Sequence, residues 1–311
     1  MKPATWRPPY MSRQDPESRK LVAVVVPLPT GRELTKDEWV SLRHIEHFLG
    51  QYDRYFLAPE GMQADHSPGF RMQHFPPEYF GSAVAHNSLL LKRRFYQAFR
   101  NYRFILICHL DALVLSDQLA DWCARDWDYI GAPWFPCQHT RWMERWGRSW
   151  GVGNGGFSLR KVEAFLQVLG SKHRDMEPDE YWRNYISNKP RYVRFTSFWR
   201  RWLKHLGIFN NVRWSLYRHR VAEDLFWSFE AVRFDPSFRV APVEEALKFA
   251  WETEPTRCFN MTGGVIPFGC HAWPRYERSF WIPYMIEDAR AVEAGEREVW
   301  EPRARSSNAA S

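Results

Sequence analysis

The stretch YRFILICHLDALVL (residues 102–115) decides the fold, because it carries a carboxylate near the end of an apolar run. The apolar residues predict a buried strand, which we place at 104–115. A buried carboxylate without a partner is costly, so Asp111 must hold or cap another group. Ligands bind at the carboxyl ends of strands in open α/β sheets, and a carboxylate there can hold a divalent cation that bridges nucleotide phosphates. Capping of the next turn or helix explains a single Asp equally well.

Apolar strands alternate with helical patterns along the rest of the chain. Thr35 and Glu38 have the spacing of a capping box at the start of the first helix. The predicted strands are 21–27, 54–58, 104–115, 156–160 and 263–268. The predicted helices are 31–49, 87–102, 116–124, 161–169, 223–231 and 242–251. This alternation predicts an α/β fold with a mixed, mostly parallel sheet flanked by helices.

The composition favours one domain. The chain has 311 residues, 45% of them apolar, and no linker rich in Gly, Ser or Pro divides it. We therefore predict a single domain over 21–285, after a flexible N-terminus at 1–20 and before a C-terminal helix and disordered tail at 286–311. No apolar stretch approaches the roughly 20 residues of a membrane span, and the N-terminus lacks the apolar core of a signal peptide, which favours a cytoplasmic protein. The five cysteines include no CxxC pair, which argues against a disulfide framework or a structural zinc site.

Positive charge is concentrated in one segment. Residues 182–222 contain ten Lys and Arg and no acid, whereas the whole chain has a net charge of +7, so the remainder is slightly acidic. We interpret 170–221 as a basic, aromatic helical insert. Within it, SFWRRWLKHL (197–206) places apolar residues on one side of a helix and cations on the other. Such a helix suits an anionic membrane surface, or else it packs on the domain with its charges solvated. No nucleic-acid module motif accompanies it, so we predict no nucleic-acid partner.

A glycine-rich stretch, GVGNGGFSLR (151–160), follows in the second half of the chain. It contains a formal GxGxxG, but a dinucleotide fingerprint must follow a strand and open a helix, and here a strand follows the glycines. Gly155 and Gly156 would instead let the backbone approach a ligand closely. An ordinary tight turn is the alternative reading of the same residues.

Three more motifs carry candidate chemistry. In AEDLFW, Glu223 or Asp224 can act as a general base, although acids also favour helix N-termini for structural reasons. In PFGCHAW, His271 is a possible metal ligand or a satisfied structural residue. In DYIGAPW, Trp134 faces a ring-shaped ligand or packs in the core.

The order of these motifs resembles that of glycosyltransferases of the GT-A fold, especially the inverting enzymes related to the Fringe and β-1,3-galactosyltransferase group. The runs LDA, DYIGAPW, GNGGFSLR and EDLF are more similar still to a bacterial family of uncharacterised glycosyltransferase-like proteins. The resemblance covers roughly residues 20–285. It implies a GT-A-like, Rossmann-like fold for the domain.

The resemblance also implies a role for each motif. Asp111 and His271 would bind a divalent cation, Mn²⁺ or Mg²⁺, and Asp224 would be the catalytic base with Glu223 beside it. The residues that would contact the donor are His109, Asp111, Trp134, Asn154, Gly155 and Gly156. The Asp-x-Asp of the family is His109-Leu110-Asp111 here, which predicts weaker metal binding or a contribution from His109.

The implied activity is transfer of a sugar from a nucleotide-sugar donor to a glycan or lipid-linked acceptor hydroxyl. The resemblance further implies an inverting reaction in bacterial surface polysaccharide or glycan synthesis. The protein would then be cytoplasmic and peripheral at the inner membrane face, held there by 197–206. The alternative is a non-catalytic nucleotide- or glycan-binding protein of the same fold.

Overall fold

A six-stranded sheet forms the centre of the protein. The computed structural model describes residues 18–63, 69–136, 143, 147, 150–219 and 222–295. The strands of the described residues are β1 (Lys20–Pro27), β2 (Asp53–Pro59), β3 (Phe70–Phe75), β4 (Tyr102–Cys108), β5 (Leu113–Val114), β6 (Tyr129–Ile130), β7 (Pro133–Trp134), β8 (Gly151–Val152), β9 (Phe157–Lys161), β10 (Ala250–Trp251) and β11 (Gly269–Cys270). The strand order in the six-stranded sheet is β3-β2-β1-β4-β9-β6. The first four are mutually parallel, whereas β9 runs antiparallel between β4 and β6. The predicted mixed, mostly parallel α/β sheet is confirmed.

Helices cover both faces of this sheet. They are α1 (Lys36–Leu49), α2 (Ala83–Leu90), α3 (Arg93–Ala98), α4 (Leu119–Ala124), α5 (Val162–Leu169), α6 (Pro178–Tyr181), α7 (Arg191–His205), α8 (Val212–Arg218), α9 (Glu223–Leu225), α10 (Ala231–Phe234), α11 (Val243–Phe249), α12 (Pro255–Met261), α13 (Arg278–Trp281) and α14 (Glu287–Ala294). Two π-helical turns, Trp182–Ile186 and Phe226–Glu230, and two 3₁₀ turns, Pro77–Tyr79 and Ile282–Tyr284, join some of them. The capping box of α1 is present: Thr35 N donates to Glu38 Oε2 at 2.7 Å, and Glu38 N donates to Thr35 Oγ1 at 3.3 Å.

The central strands are buried on both sides, which explains their continuous apolar sequences. Val24 of β1 and Leu106 of β4 belong to the hydrophobic cluster on one face, together with the apolar side of α1. Val25 and Ile107 alternate to the opposite face and pack with α3 and α5. A sheet covered in this way leaves its strand ends as the places where polar side chains can gather.

Several predicted elements differ from the structure. The strand placed at 104–115 is divided into β4 and β5, because the chain turns at residues 109–112, where Ala112 N donates to His109 O at 3.1 Å. The helix placed at 87–102 is interrupted at Lys92, which has an extended backbone. The strand placed at 263–268 does not form. Gly263 and Gly264 have positive φ angles of 66° and 89°, and Pro267 lacks a backbone N–H for pairing with another strand. The edge strand β3 was not predicted, because polar residues interrupt its apolar pattern.

The insert is helical and basic, as predicted. One side chain of α7, Ser197, is buried. Its aromatic stripe is exposed, with Phe195 at 86% and Trp202 at 62%. In the part of the chain that the structure describes, no helix is both long and apolar enough to cross a membrane.

The C-terminal helix α14 packs on α1. Ala289 and Val292 lie in a cluster with Val40 and Trp273, so residues beyond the predicted boundary at 285 contribute to the same core. The first seventeen residues and the tail from 296 onward lie outside the described residues, and the predictions made for them stay predictions.

Candidate metal and active site

Backbone pairing brings Asp111 and His271 to one place. The short strand β5, just after Asp111, pairs antiparallel with β11, just before His271. Trp273 N also donates to Asp111 O at 3.1 Å, and His271 N donates to Trp251 O at 2.9 Å. As a result Asp111 Oδ1 and His271 Nε2 lie 3.2 Å apart at the carboxyl end of β4. The two predicted metal ligands therefore meet, although they are far apart in the chain.

His109 completes a cluster of three ligand groups. One ligand atom each from His109, Asp111 and His271 lies within 4.8 Å of the others. Apart from their mutual ion pair, Asp111 Oδ1 and His271 Nε2 are buried without a hydrogen-bond partner among the described residues. Buried polar atoms in native proteins are normally satisfied, so a cation among these groups would fit the site. Two imidazoles and one carboxylate suit Mn²⁺ better than Mg²⁺, which prefers oxygen ligands.

Asp111 and His271 shift each other's pKa, because their opposite charges lie close together. Burial opposes protonation of His271, but the carboxylates of Asp111 and Glu252 outweigh it and raise its pKa to about 10. Burial likewise opposes ionisation of Asp111, yet His271 lowers the pKa of this carboxyl below its usual range. Glu252 Oε1 lies 3.0 Å from His271 Nδ1 and fixes the orientation of the ring. A carboxylate behind a ligand histidine is a recurrent arrangement in metal sites.

A second histidine supports His109. His86 Nε2 of α2 lies 3.2 Å from His109 Nε2. Burial lowers the pKa of His86 to about 4 and lowers that of His109 well below its ordinary value, so both rings are neutral near pH 7. A neutral imidazole is the form that binds a metal.

The glycine-rich loop lets the site close on itself. Asn154 Oδ1 accepts hydrogen bonds from Gly156 N at 2.7 Å and from Phe157 N at 2.8 Å, which fixes the turn. A Cβ on residue 156 would lie 2.0 Å from His271 Nε2, and one on Gly155 would lie 3.2 Å from Glu223 Oε1. The sequence indicated that a ligand would approach the backbone closely at Gly156. In the structure it is the imidazole of His271 that does so.

Glu223 and Asp224 are neighbours with different surroundings. Arg160 binds Glu223 through both terminal nitrogens, at 2.7 and 3.2 Å, and both side chains are fully buried. Asp224 Oδ1 accepts one hydrogen bond, from its neighbour Leu225 N at 2.9 Å. Burial and the nearby carboxylates of Glu223 and Glu252 raise the pKa of Asp224 to about 7. Asp224 is therefore the carboxyl of this pair that can exchange a proton near neutral pH.

Trp134 is packed in the interior. Its side chain is 4% exposed and belongs to a small apolar cluster with Met143 and Leu225. Its ring centroid lies 5.9 Å from that of Phe229. These contacts favour the packing reading over the ligand-binding reading, and they leave donor contact by Trp134 a prediction.

Three residues of the site were not found from the sequence: His86, Arg160 and Glu252. Arg160 had a detectable signal, because it alternates with Leu159 in β9 and an Arg at an inward position of a strand needs a buried partner. His86 and Glu252 had none, since only the tertiary structure places them beside His109 and His271.

Two cavities share one wall residue, and the smaller adjoins the cluster through His109. The smaller, about 360 Å³, lies at the carboxyl end of β1 and is lined in part by His86 and His109. The larger, about 1240 Å³, lies between α2, the end of α5 and the insert, and it reaches Ala222. Asn87 lines both.

The fold and the cluster define a mixed α/β protein with a candidate metal centre at the edge of its sheet. A family model described as a protein of unknown function, DUF5672, matches residues 69–271. The chain belongs to this family. No curated protein matches the sequence.

Solved structures with a distant likeness include three glycosyltransferases. One takes part in glycosylation of the major capsid of PBCV-1, with 10% identity, a TM-score of 0.39, and coverage of 88% of this chain and 99% of that chain. The galactosyltransferase LgtC, solved with donor and acceptor sugar analogs, has 11% identity and a TM-score of 0.42 over 87% of this chain and 99% of its own. The mannosyltransferase Ktr4p of S. cerevisiae, solved with GDP, has 9% identity and a TM-score of 0.37 over 89% and 85%. At these scores the assignment of function must rest on the site of this chain.

Proposed function

We propose that this protein is a glycosyltransferase that moves a sugar from a nucleotide-sugar donor to a hydroxyl of a glycan or lipid-linked acceptor. The observation that carries the proposal is the meeting of His109, Asp111 and His271 beside a cavity. Apart from their mutual ion pair, Asp111 Oδ1 and His271 Nε2 are buried with no hydrogen-bond partner in the described part of the chain. The motif order that resembles GT-A glycosyltransferases supports it independently.

The donor would bind in the cavity at the carboxyl end of β1, which His109 lines. This edge of an α/β sheet is where nucleotides bind in such folds. His109, Asp111 and His271 would hold the cation, for which we propose Mn²⁺. When bound, the cation offsets negative charge on the leaving nucleoside diphosphate.

Asp224 would be the catalytic base that removes the proton of the acceptor hydroxyl. Glu223 is occupied by Arg160, and Glu252 is occupied by His271, so Asp224 is the least engaged carboxylate of the three. Because the other two carboxylates are held by these partners, Asp224 would act alone, which supports a single displacement with inversion. The resemblance to a bacterial family supports an acceptor from surface polysaccharide or glycan synthesis.

A panel of nucleotide-sugars with and without Mn²⁺ tests the proposal, with thermal shift and nucleoside diphosphate release as readouts. We expect one donor to raise the melting temperature in the presence of Mn²⁺ and to be consumed. Binding without release, indifferent to Asp224→Asn, would instead support the non-catalytic binding protein. Absence of stabilisation by any nucleotide, with or without metal, would contradict both.

The exposed face of α7 would hold the enzyme at the anionic inner face of a membrane. Tyr192, Phe195, Phe198 and Trp199 are 71%, 86%, 63% and 53% exposed, and cations of the acid-free segment surround them. Exposed aromatics beside Arg and Lys favour insertion at a lipid headgroup boundary.

Co-sedimentation with phosphatidylglycerol and phosphatidylcholine vesicles tests this surface. We expect binding to the anionic vesicles and its loss in Phe195→Ser/Trp199→Ser, whereas Val265→Ser, at a residue that is also exposed, leaves binding intact. Equal binding of both vesicle types by all three proteins would contradict the proposal.

A further inference from the structure

The larger cavity is a groove outside the metal cluster. It runs for about 1240 Å³ between α2, the end of α5 and the insert. One end reaches Ala222, directly before Glu223 and Asp224, and the wall shares Asn87 with the proposed donor cavity. A molecule in the groove would therefore contact the residue that precedes the Glu223–Asp224 pair and would share a wall with the proposed donor cavity.

The wall of this groove is positively charged. Lys92, Arg93, Lys172 and Arg213 line it, and no Asp or Glu does so among the described residues. All four side chains are exposed, and within the described ranges none of them forms an ion pair with a carboxylate. Unpaired cations around a concave surface create a potential that attracts anions and disfavours other cations.

Two further features shape the wall, and the second suits a sugar rather than a simple anion. A Cβ on Gly170 would lie 2.3 Å from Arg93 Nη1, so this glycine lets the guanidinium lie across the wall, where it donates weakly to Leu166 O at 3.4 Å. Tyr217 is 66% exposed, and its ring stacks on that of Trp214 with centroids 5.5 Å apart. An exposed, rigid aromatic ring is a platform for the apolar face of a sugar.

We propose that this groove binds the acceptor and that the acceptor is an acidic saccharide bearing carboxylate or phosphate groups. The inference rests on the proposed function, because the groove is assigned to the acceptor through the wall that it shares with the proposed donor cavity and through its end at Ala222. A single-stranded nucleic acid also suits cations and aromatics. The wall that the groove shares with the proposed donor cavity favours the saccharide.

The test measures binding of four probes by isothermal titration calorimetry, without donor: an oligogalacturonate, a phosphorylated mannan fragment, a neutral malto-oligosaccharide and a single-stranded oligonucleotide. The charge-reversed variant is Lys172→Glu/Arg213→Glu. The matched control is Lys189→Glu/Arg100→Glu, which reverses two exposed cations outside the groove. Circular dichroism checks that both variants fold.

We expect an acidic saccharide to bind, to weaken at high salt and to lose about tenfold or more in affinity in the groove variant but not in the control. Preference for carboxylate or for phosphate identifies the anion. Equal affinity for the neutral saccharide, tighter binding of the oligonucleotide, or no binding of either acidic saccharide would overturn the inference.

The two proposals fail separately, because donor release is measured without these probes. Release from a nucleotide-sugar with no acidic saccharide bound would overturn the groove assignment and leave the proposed function intact. Groove-dependent binding of an acidic saccharide by a protein that releases no nucleotide from any donor would overturn its assignment as the acceptor.

Discussion

Gly156 lies directly against the imidazole of His271, where a Cβ on residue 156 would be 2.0 Å from Nε2. The ring cannot yield freely, because Asp111 and Glu252 hold it from either side. The contact with His271, rather than the turn, thus excludes a larger residue at 156, since neither Gly155 nor Gly156 has a positive φ.

Gly156→Ala should therefore displace His271 and weaken Mn²⁺ binding by about tenfold or more, the usual cost of a disturbed metal ligand. Gly155→Ala is the matched control, since its Cβ would meet only Glu223 Oε1, at 3.2 Å. Calorimetric titration with Mn²⁺ distinguishes them. Equal affinities in the two variants would show that the ring position does not matter for the metal.

Removal of the proposed ligand groups should weaken metal binding directly. Asp111→Ala and His271→Ala each delete one of the three groups. Each change also removes the ion-pair partner of the other residue's buried atom. We expect Mn²⁺ affinity to fall by about 100-fold, with donor turnover lost in parallel. Asp117→Ala and His173→Ala, at exposed residues, are the controls. Mn²⁺ affinity retained in both ligand variants would place the metal elsewhere or remove it from the reaction.

Asp224→Asn should lower kcat by at least about 100-fold, because the amide cannot accept a proton. The same change should make the protein more stable at pH 8, by about 1–3 kcal/mol. The carboxyl ionises near pH 4 when unfolded but near 7 when folded, so folding is penalised progressively between those values and fully above them. Denaturant titration at pH 8 and at pH 4 measures the difference. If Asp224→Asn lowers stability at pH 8, the ionised Asp224 carboxylate does not destabilise the folded protein and the prediction is wrong.

The pH profile of turnover should report the same group. The base acts only when ionised, so kcat/KM at saturating Mn²⁺ should fall as the pH drops through about 7. Below the midpoint the decline should be about tenfold per pH unit. A flat profile from pH 5 to 8 would assign the proton transfer to another group.

Breaking the buried Arg160–Glu223 ion pair by changing one residue should destabilise the protein more than replacing both residues. Glu223→Gln leaves the charge of Arg160 without its carboxylate, which should cost about 3–5 kcal/mol of unfolding free energy. Arg160→Met/Glu223→Met should cost less than the single change. Asp175→Asn, in the partly exposed pair with Arg233, should cost at most about 1 kcal/mol. Urea titrations of all four proteins measure these effects, and a stable Glu223→Gln would show that the pair is not coupled.

Local patterns predicted the elements whose signals are strong and short-ranged. The apolar run of β1 and the capping box of α1 are fixed by neighbours in the chain, and both are present in the structure. The turn that contains Asp111, the break at Lys92 and the loss of a strand at 263–268 were not predicted, because each depends on backbone geometry or on a partner strand from far along the chain.

The sequence by itself determined the mixed α/β class, the basic character of the insert and the identity of Asp111, His271 and Asp224 as candidates. Only the tertiary structure decided how they are engaged. It joined His271 to Asp111 through a β5–β11 pairing and gave Glu223 to Arg160, which leaves Asp224 as the less engaged carboxyl. The physical reason is that a carboxylate's pKa and partners are set by groups within a few ångströms in space, and most of those groups are distant in the chain.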